Sequence, residues 1–276
     1  MGLEVNQHTF HECEGCGVVT AHPKTPFLKA DFSNYGEYLI KNAKEIEERV
    51  AYEEKVHRKF FNEVCYRYGR TARILDYGAG AGYFLKAAKN YGFSTSGYEI
   101  SNKLIDFAKI YLGITLTNKK EDLFNDYDVI CMFDVIEHIP VDVSKLTMDQ
   151  LMSRLIHGGM LYGNTPNYRS LNIIIFGNRD PVIAPPSHAC YFTVKSLDLF
   201  LASFKLNKIS LLTKGLSSNS FFRKEKFTPS FLEKSAKSIV AKWTLQIPLK
   251  ALFKIFGNIL SATNHGYQII FKYEKE

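Results

Sequence analysis

The chain has 276 residues, 46% of them apolar and 14% aromatic, enough to bury a sizeable core and too many for a disordered polymer. Its apolar runs, Ile173-Ile-Ile-Phe176 among them, fall far short of the about 20 residues that a membrane-crossing helix needs. The net charge of +7 is local: eight lysines and arginines stand between Arg223 and Lys254 against two glutamates, and the remainder is close to neutral.

The first residues carry neither a basic start nor an apolar stretch, so no secretory signal is read there. Five cysteines, an odd number, are read as reduced thiols of a cytoplasmic protein. Cys13-Glu-Gly-Cys16, with His8 and His11 before it, is half of a zinc ribbon. A closed structural site needs four ligands, and no second C-x-x-C exists, so the segment is read as a turn and no metal is expected.

Residues 35–69 are rich in Glu, Lys and aromatics, including Tyr35, Tyr38, Leu39, Phe60 and Phe61. Acids preceding bases by three or four positions support helices. These helices either fold over the mouth of a ligand site as a lid or pack on the sheet edge.

From residue 72 onward strands and helices alternate. Strand 73–76 runs into Asp76-Tyr-Gly-Ala-Gly-Ala-Gly82, and Tyr83 opens a segment with helical spacing. A strand, a glycine turn and a helix start bring backbone N–H groups close to a ligand. Gly78, Gly80 and Gly82 let the backbone approach where a Cβ would stand in the way. Glu99 closes the second strand, 94–99, at a spacing from Asp76 close to the roughly 20 residues expected of an acid that accepts from ribose hydroxyls. A dinucleotide fingerprint would place its third glycine where Tyr83 stands, which weakens the rival reading of a nicotinamide-dependent oxidoreductase.

Ser101 caps a helix that Gly113 ends, and 114–117 is a short third strand. The apolar run 127–133 is a strand buried on both faces. It ends in Phe133-Asp-Val-Ile-Glu-His-Ile-Pro140, which puts Asp134, Glu137 and His138 at the ligand edge. His138 is a candidate base, because imidazole changes charge near neutral pH. A helix from Ser144, a strand at 160–162, a helix capped by Thr193, and strands at 209–212 and 267–273 complete seven strands. The expected fold is α/β: a seven-stranded, mostly parallel, doubly wound Rossmann-like sheet with helices on both faces. The chain divides into an N-terminal arm and helical lid (1–69), a core (70–222 with 263–276) and a basic helical insertion before the last strand (223–262).

Four motifs occur in one order: Asp76-Tyr-Gly-Ala-Gly-Ala-Gly82, Phe133-Asp-Val-Ile-Glu-His-Ile-Pro140, Gly158-Gly-Met-Leu-Tyr-Gly-Asn-Thr-Pro-Asn167 and Pro185-Pro-Ser-His-Ala-Cys-Tyr-Phe-Thr193. Together they resemble the class I S-adenosylmethionine-dependent methyltransferases, in the family related to the ubiquinone-biosynthesis O-methyltransferases and to methyltransferases of polysaccharide gene clusters. Relatives often begin with a complete zinc-ribbon-like knuckle, of which Cys13 and Cys16 alone remain here. The resemblance implies S-adenosyl-L-methionine as cofactor, with Asp76, Gly78, Gly80, Gly82, Tyr83 and Asp134 around it and Glu99 on its ribose. It puts Lys119-Lys-Glu-Asp-Leu123 near the adenine, and His138, His188 and Tyr191 at the acceptor. The implied reaction is O-methylation of a small or saccharide-type acceptor with a histidine base. From another class stands a cofactor-binding scaffold without catalysis, held in a biosynthetic complex.

The basic segment reads as helices 231–246 and 249–260, separated at Pro248. In the second, Leu249, Leu252, Phe253, Phe256 and Leu260 form an apolar stripe flanked by lysines. Such a stripe suits packing on the sheet or on a neighbouring subunit with the lysines outward, or the anionic inner face of a membrane. No nucleic-acid recognition motif accompanies the charge.

Overall fold

The computed structural model describes residues 4–23, 42–215 and 259–276. Three short strands come first: β1 (Glu4–Val5), β2 (His8–Glu12) and β3 (Val19–Pro23). Asn42 then caps α1 (Ala43–Tyr68), its side-chain oxygen accepting from the Lys44 N–H at 2.9 Å. Ile46, Val50, Phe60, Phe61 and Val64 bury one side of α1. The α/β alternation follows as β4 (Arg73–Tyr77), α2 (Tyr83–Asn90), β5 (Ser94–Tyr98), α3 (Asn102–Phe107), β6 (Tyr127–Phe133), α4 (Val141–Arg154) and β7 (Leu155–Pro166). The remainder is α5 (Leu171–Phe176), β8 (Cys190–Tyr191), α6 (Val194–Ala202), β9 (Leu206–Lys214) and β10 (Gln268–Lys275).

The main sheet has the order β5-β4-β6-β7-β10-β9. β4 pairs in parallel with β5 and β6, and β6 with β7; β10 runs antiparallel between β7 and β9. Among the described residues six strands, not the seven expected, make this sheet. Residues 114–117 lie beside β5 but meet it through a single bridge, Tyr98 to Thr117. Ile114 and Leu116 turn their side chains into the core, and Gly113, in the left-handed region at φ 62°, turns the chain just ahead of them. Too few residues are left to run a ladder, so the segment covers the edge of β5 instead of extending the sheet.

Successive residues of the central strands bury on opposite faces, as the two-residue strand period dictates. Ile74, Val129, Cys131 and Met160 meet Phe61 and Val64 of α1, Leu85 and Ala88 of α2, and Phe107 at the end of α3. Leu75, Ile130, Met132 and Leu161 meet Met148 and Leu151 of α4 and Leu197 and Leu201 of α6. The doubly wound arrangement thus follows from near-continuous apolar strands with helices on both faces. Of the expected lid, the described part is α1, packed along α2 on one face of the sheet. Tyr35, Tyr38 and Leu39, helix 231–246 and most of helix 249–260 lie outside the described residues.

The Cys13–Cys16 segment is a turn, as expected, but the arm around it carries strands that the sequence does not announce: it forms a second, antiparallel sheet of order β1-β2-β3-β8. Cys13 and Cys16 sit in the turn between β2 and β3, where the Gly17 N–H donates to the Cys13 carbonyl at 2.8 Å. Val19 pairs with Tyr191 and Thr20 with Cys190, so the arm grips the loop just after His188. Among the described residues no helix is long and apolar enough to cross a membrane.

Candidate active site

Open parallel sheets keep ligands at the carboxyl ends of their strands, and β4, β5 and β6 end together at one edge. After β4 the backbone turns through Gly78, Gly80 and Gly82, at φ of 84°, 55° and 81°, a region that L side chains rarely adopt. A Cβ on Gly78 would come within 2.4 Å of Val135, whereas one on Gly80 would meet nothing within 4 Å. Gly78 is glycine for packing. Gly80 faces open space, as a loop does when it is shaped to receive something.

Glu99 closes β5 and ties this turn down. One carboxylate oxygen accepts the Gly80 N–H at 2.9 Å; the other accepts those of Ile100 and Ser101 at 2.8 and 2.9 Å. Asp76 is 3% exposed, and its Oδ1 has no hydrogen-bond partner. Burial, with the nearby carboxylates of Glu99 and Glu53, pushes its carboxyl up to about 8. A buried acceptor without a donor is costly, and a cationic group of a ligand would relieve it. Tyr83 starts α2 and stacks edge-on against Phe107 at 5.9 Å, with its hydroxyl buried and unpaired.

The second half of the site grows from the end of β6. Asp134 takes the left-handed region at φ 52°, and its Oδ1 accepts from Asn164 at 2.6 Å and Gln268 at 3.3 Å. The residue is exposed as a whole, yet burial of its carboxyl raises it to about 6 against the lowering effect of those two hydrogen bonds. Glu137 is 2% exposed; one oxygen accepts from the Thr165 hydroxyl at 2.9 Å and the other has no partner. Burial first, then the charge of Asp134, pushes Glu137 up to about 8. The second strand-end motif therefore has residue-level jobs: Asn164 orients Asp134, Thr165 orients Glu137, and Asn167 holds the carbonyls of Asn264 and Gly266.

His138 and His188 meet edge to face, ring centroids 4.7 Å apart. The Nδ1 of His138 lies 2.6 Å from the Ser187 carbonyl, and that of His188 lies 2.7 Å from the Val182 carbonyl. Carbonyls only accept, so both Nδ1 atoms carry the proton and both lone pairs are on Nε2. Burial lowers the basicity of both rings; that of His188, further opposed by His138, falls to about 4. Both are neutral at neutral pH. Tyr191 is buried against Phe10 and Tyr168, and its hydroxyl donates to the His188 carbonyl at 3.1 Å.

A family model described as a methyltransferase domain matches residues 43–211, most of the chain. The chain belongs to this methyltransferase family. No curated protein matches the sequence. Among solved structures the methyltransferase is similar to an S-adenosylmethionine-dependent methyltransferase from Archaeoglobus fulgidus, at 16% identity and TM-score 0.53, over 81% of this chain and 94% of that one. It is also similar to the magnesium protoporphyrin IX methyltransferase of Synechocystis with bound S-adenosylhomocysteine, at 13% identity and TM-score 0.51, over 89% and 96% of the two chains. At these identities the likeness speaks for the fold.

The edge of the methyltransferase fits S-adenosylmethionine on its own chemistry. Gly80 leaves room for a ligand, Asp76 offers a buried, unpaired oxygen to a cation, and Glu99 stands at the end of the neighbouring strand. Residues 120–122 form a short 3-10 turn in which Asp122 accepts from the Thr117 hydroxyl at 2.8 Å, beside the end of β5.

The sequence places α1 over the ligand mouth or on the sheet edge but singles out none of its charged residues. Arg49, Glu53 and His57 fall at four-residue steps, hence on one face of the helix. Glu53 is 8% exposed, between Arg49 at 2.8 Å and His57 at 3.3 Å. The His57 ring lies 5.0 Å from Phe84 and 5.2 Å from Phe133, and the Arg49 guanidinium lies 5.9 Å from the Tyr83 ring. The signal was present as Arg-x-x-x-Glu-x-x-x-His, hidden among the many solvent-facing charges of the same helix.

Proposed function

We propose that this methyltransferase uses S-adenosyl-L-methionine to methylate a hydroxyl oxygen on a small or saccharide-type acceptor, with a histidine of the His138–His188 pair as base. The observation that carries the reading is the meeting of two half-sites on one sheet edge. The glycine turn with Asp76 and Glu99 ends β4 and β5; the pair of neutral imidazoles follows the adjacent β6.

In this reading Gly78, Gly80 and Gly82 shape the methionine pocket, Asp76 and Asp134 place carboxylates beside the cofactor's positive charge, and Glu99 takes the ribose hydroxyls. Tyr83 walls the pocket and Asp122 is the acid nearest the adenine. The bound cofactor supplies an electrophilic methyl on a good sulfur leaving group. The protein's task is chiefly to hold the acceptor oxygen in line with it, and orientation accounts for much of the rate. A neutral hydroxyl must also shed its proton, and a positioned base contributes about 10²–10⁴-fold. Tyr191 is a positioning residue, holding the backbone of His188.

The test is a screen of sugar nucleotides and small phenols with a methyl-labelled donor, following label into product. Label in a hydroxyl-bearing acceptor supports the reading. Tight cofactor binding with no transfer to any acceptor class would favour a non-catalytic scaffold instead.

A further inference from the structure

We infer that Glu137, His138 and His188 form a binding site for a divalent first-row transition metal, zinc in the first instance. One ligand atom from each lies within 4.8 Å of the others. Among the described residues this is the one group of three His, Cys, Asp or Glu side chains placed closely enough to hold an ion. The expectation that no metal binds rested on the paired cysteines of the arm, which lie elsewhere in the fold.

Three features argue for an ion here. Glu137 is 2% exposed, and its Oε1 has no donor, although its other oxygen is fixed by Thr165. Both imidazoles hand their Nδ1 protons to backbone carbonyls, which makes Nε2 the basic nitrogen of each ring and sets the ring orientation, the usual outer support of metal-bound histidine. Two imidazoles and one carboxylate form a donor set that zinc enzymes use with one position left open. An all-oxygen, six-coordinate site for magnesium would look different. Metal–nitrogen bonds of about 2.1 Å set tetrahedral ligand atoms roughly 3.4 Å apart, so binding draws the cluster in by at most about 1.4 Å.

The role of the ion rests on the methyl-transfer reading and alters one part of it. The acceptor hydroxyl occupies the open position, where the cation makes it more acidic and its proton leaves to water. An oxygen lone pair then forms the O–C bond to the sulfonium methyl while the C–S bond breaks and its electron pair returns to sulfur. The ion, in place of a free imidazole, activates the acceptor.

The test uses the full-length protein carrying Cys13→Ser and Cys16→Ser, so that arm thiols contribute nothing. After chelator treatment it is titrated with Zn²⁺ by calorimetry and with Co²⁺ by visible absorption. One equivalent of zinc, and cobalt bands without thiolate charge transfer, are expected. His188→Ala and Glu137→Gln should each weaken binding by about 100-fold or more, with circular dichroism and S-adenosylhomocysteine affinity kept. Absence of a stoichiometric ion in the folded parent overturns the proposal even if both variants misfold, as does unchanged zinc affinity in a folded His188→Ala. S-adenosylhomocysteine binding without metal would sink this site alone; metal binding without the cofactor product would sink the methyl-transfer reading alone.

Discussion

Glu99 and Gly80 are joined across the cofactor edge, the carboxylate of one accepting the backbone N–H of the other at 2.9 Å. The acid that closes β5 therefore shapes the turn after β4, beside the ribose contact proposed for it. Glu99→Ala removes the acceptor of three backbone N–H groups, and charge-assisted bonds of this kind are worth about 1.5–3 kcal/mol each. Cofactor affinity measured by calorimetry should fall about 10–100-fold, with a smaller loss in Glu99→Gln. An unchanged affinity in Glu99→Ala would move the ribose contact elsewhere.

With Asp76 beside the cofactor, as proposed, binding is predicted to release a proton. Its carboxyl, raised to about 8 by burial, is mostly protonated at pH 7 in the free protein, and a cationic ligand alongside favours the ionised form. Calorimetry in buffers of different ionisation enthalpy should show up to about one proton released per cofactor bound, lost in Asp76→Asn. The same shift acts on stability. A folded-state value above the unfolded one of about 4 contributes stability that is complete below pH 4 and fades as pH rises through 8. The melting temperature of the free protein should therefore decline less steeply over that window in Asp76→Asn. Equal slopes would remove Asp76 as the source.

The histidine pair should separate chemistry from cofactor binding. His138→Ala and His188→Ala are expected to lower turnover by about 10²–10⁴-fold while calorimetric cofactor affinity stays within a factor of two or so, because Asp76, Gly80 and Glu99 lie at other strand ends. Full turnover in both variants would take the pair out of the reaction.

The arm strands are predicted to tune turnover at a distance. The Phe10 ring lies 5.3 Å from Tyr191, whose hydroxyl holds the His188 carbonyl. Phe10 is half-buried, so Phe10→Ala should cost less than the about 3–5 kcal/mol of a core phenylalanine and lower kcat several-fold, with cofactor affinity unchanged. Rescue by Phe10→Leu would mark a positioning effect. A kcat unmoved by Phe10→Ala would mean that the arm does not set His188.

The core was legible because its signals are local. The apolar runs of β4, β6 and β7, the alternate glycines and the Thr193 cap each announce themselves within a few residues, and the family match covers the same stretch. The arm was not legible: β1 has two residues, and β3 finds a partner in β8 only after nearly the whole core intervenes. Pairing at that separation leaves no mark on either short segment. The four residues 114–117 failed oppositely, looking like a strand while bridging at one point. Glu137 was placed at the edge from its motif, but its pairing with Thr165 joins two motifs 28 residues apart.

Lys214 and Gln268 face each other in the ladder between β9 and β10. The residues between them thus amount, for the sheet, to one hairpin connection whose two feet are clamped side by side. The entropy of closing such a connection grows only with the logarithm of its length. Added length between the two feet would therefore cost the sheet little, provided that residues 261–266, which Asn167 and Thr213 hold at one foot, are kept.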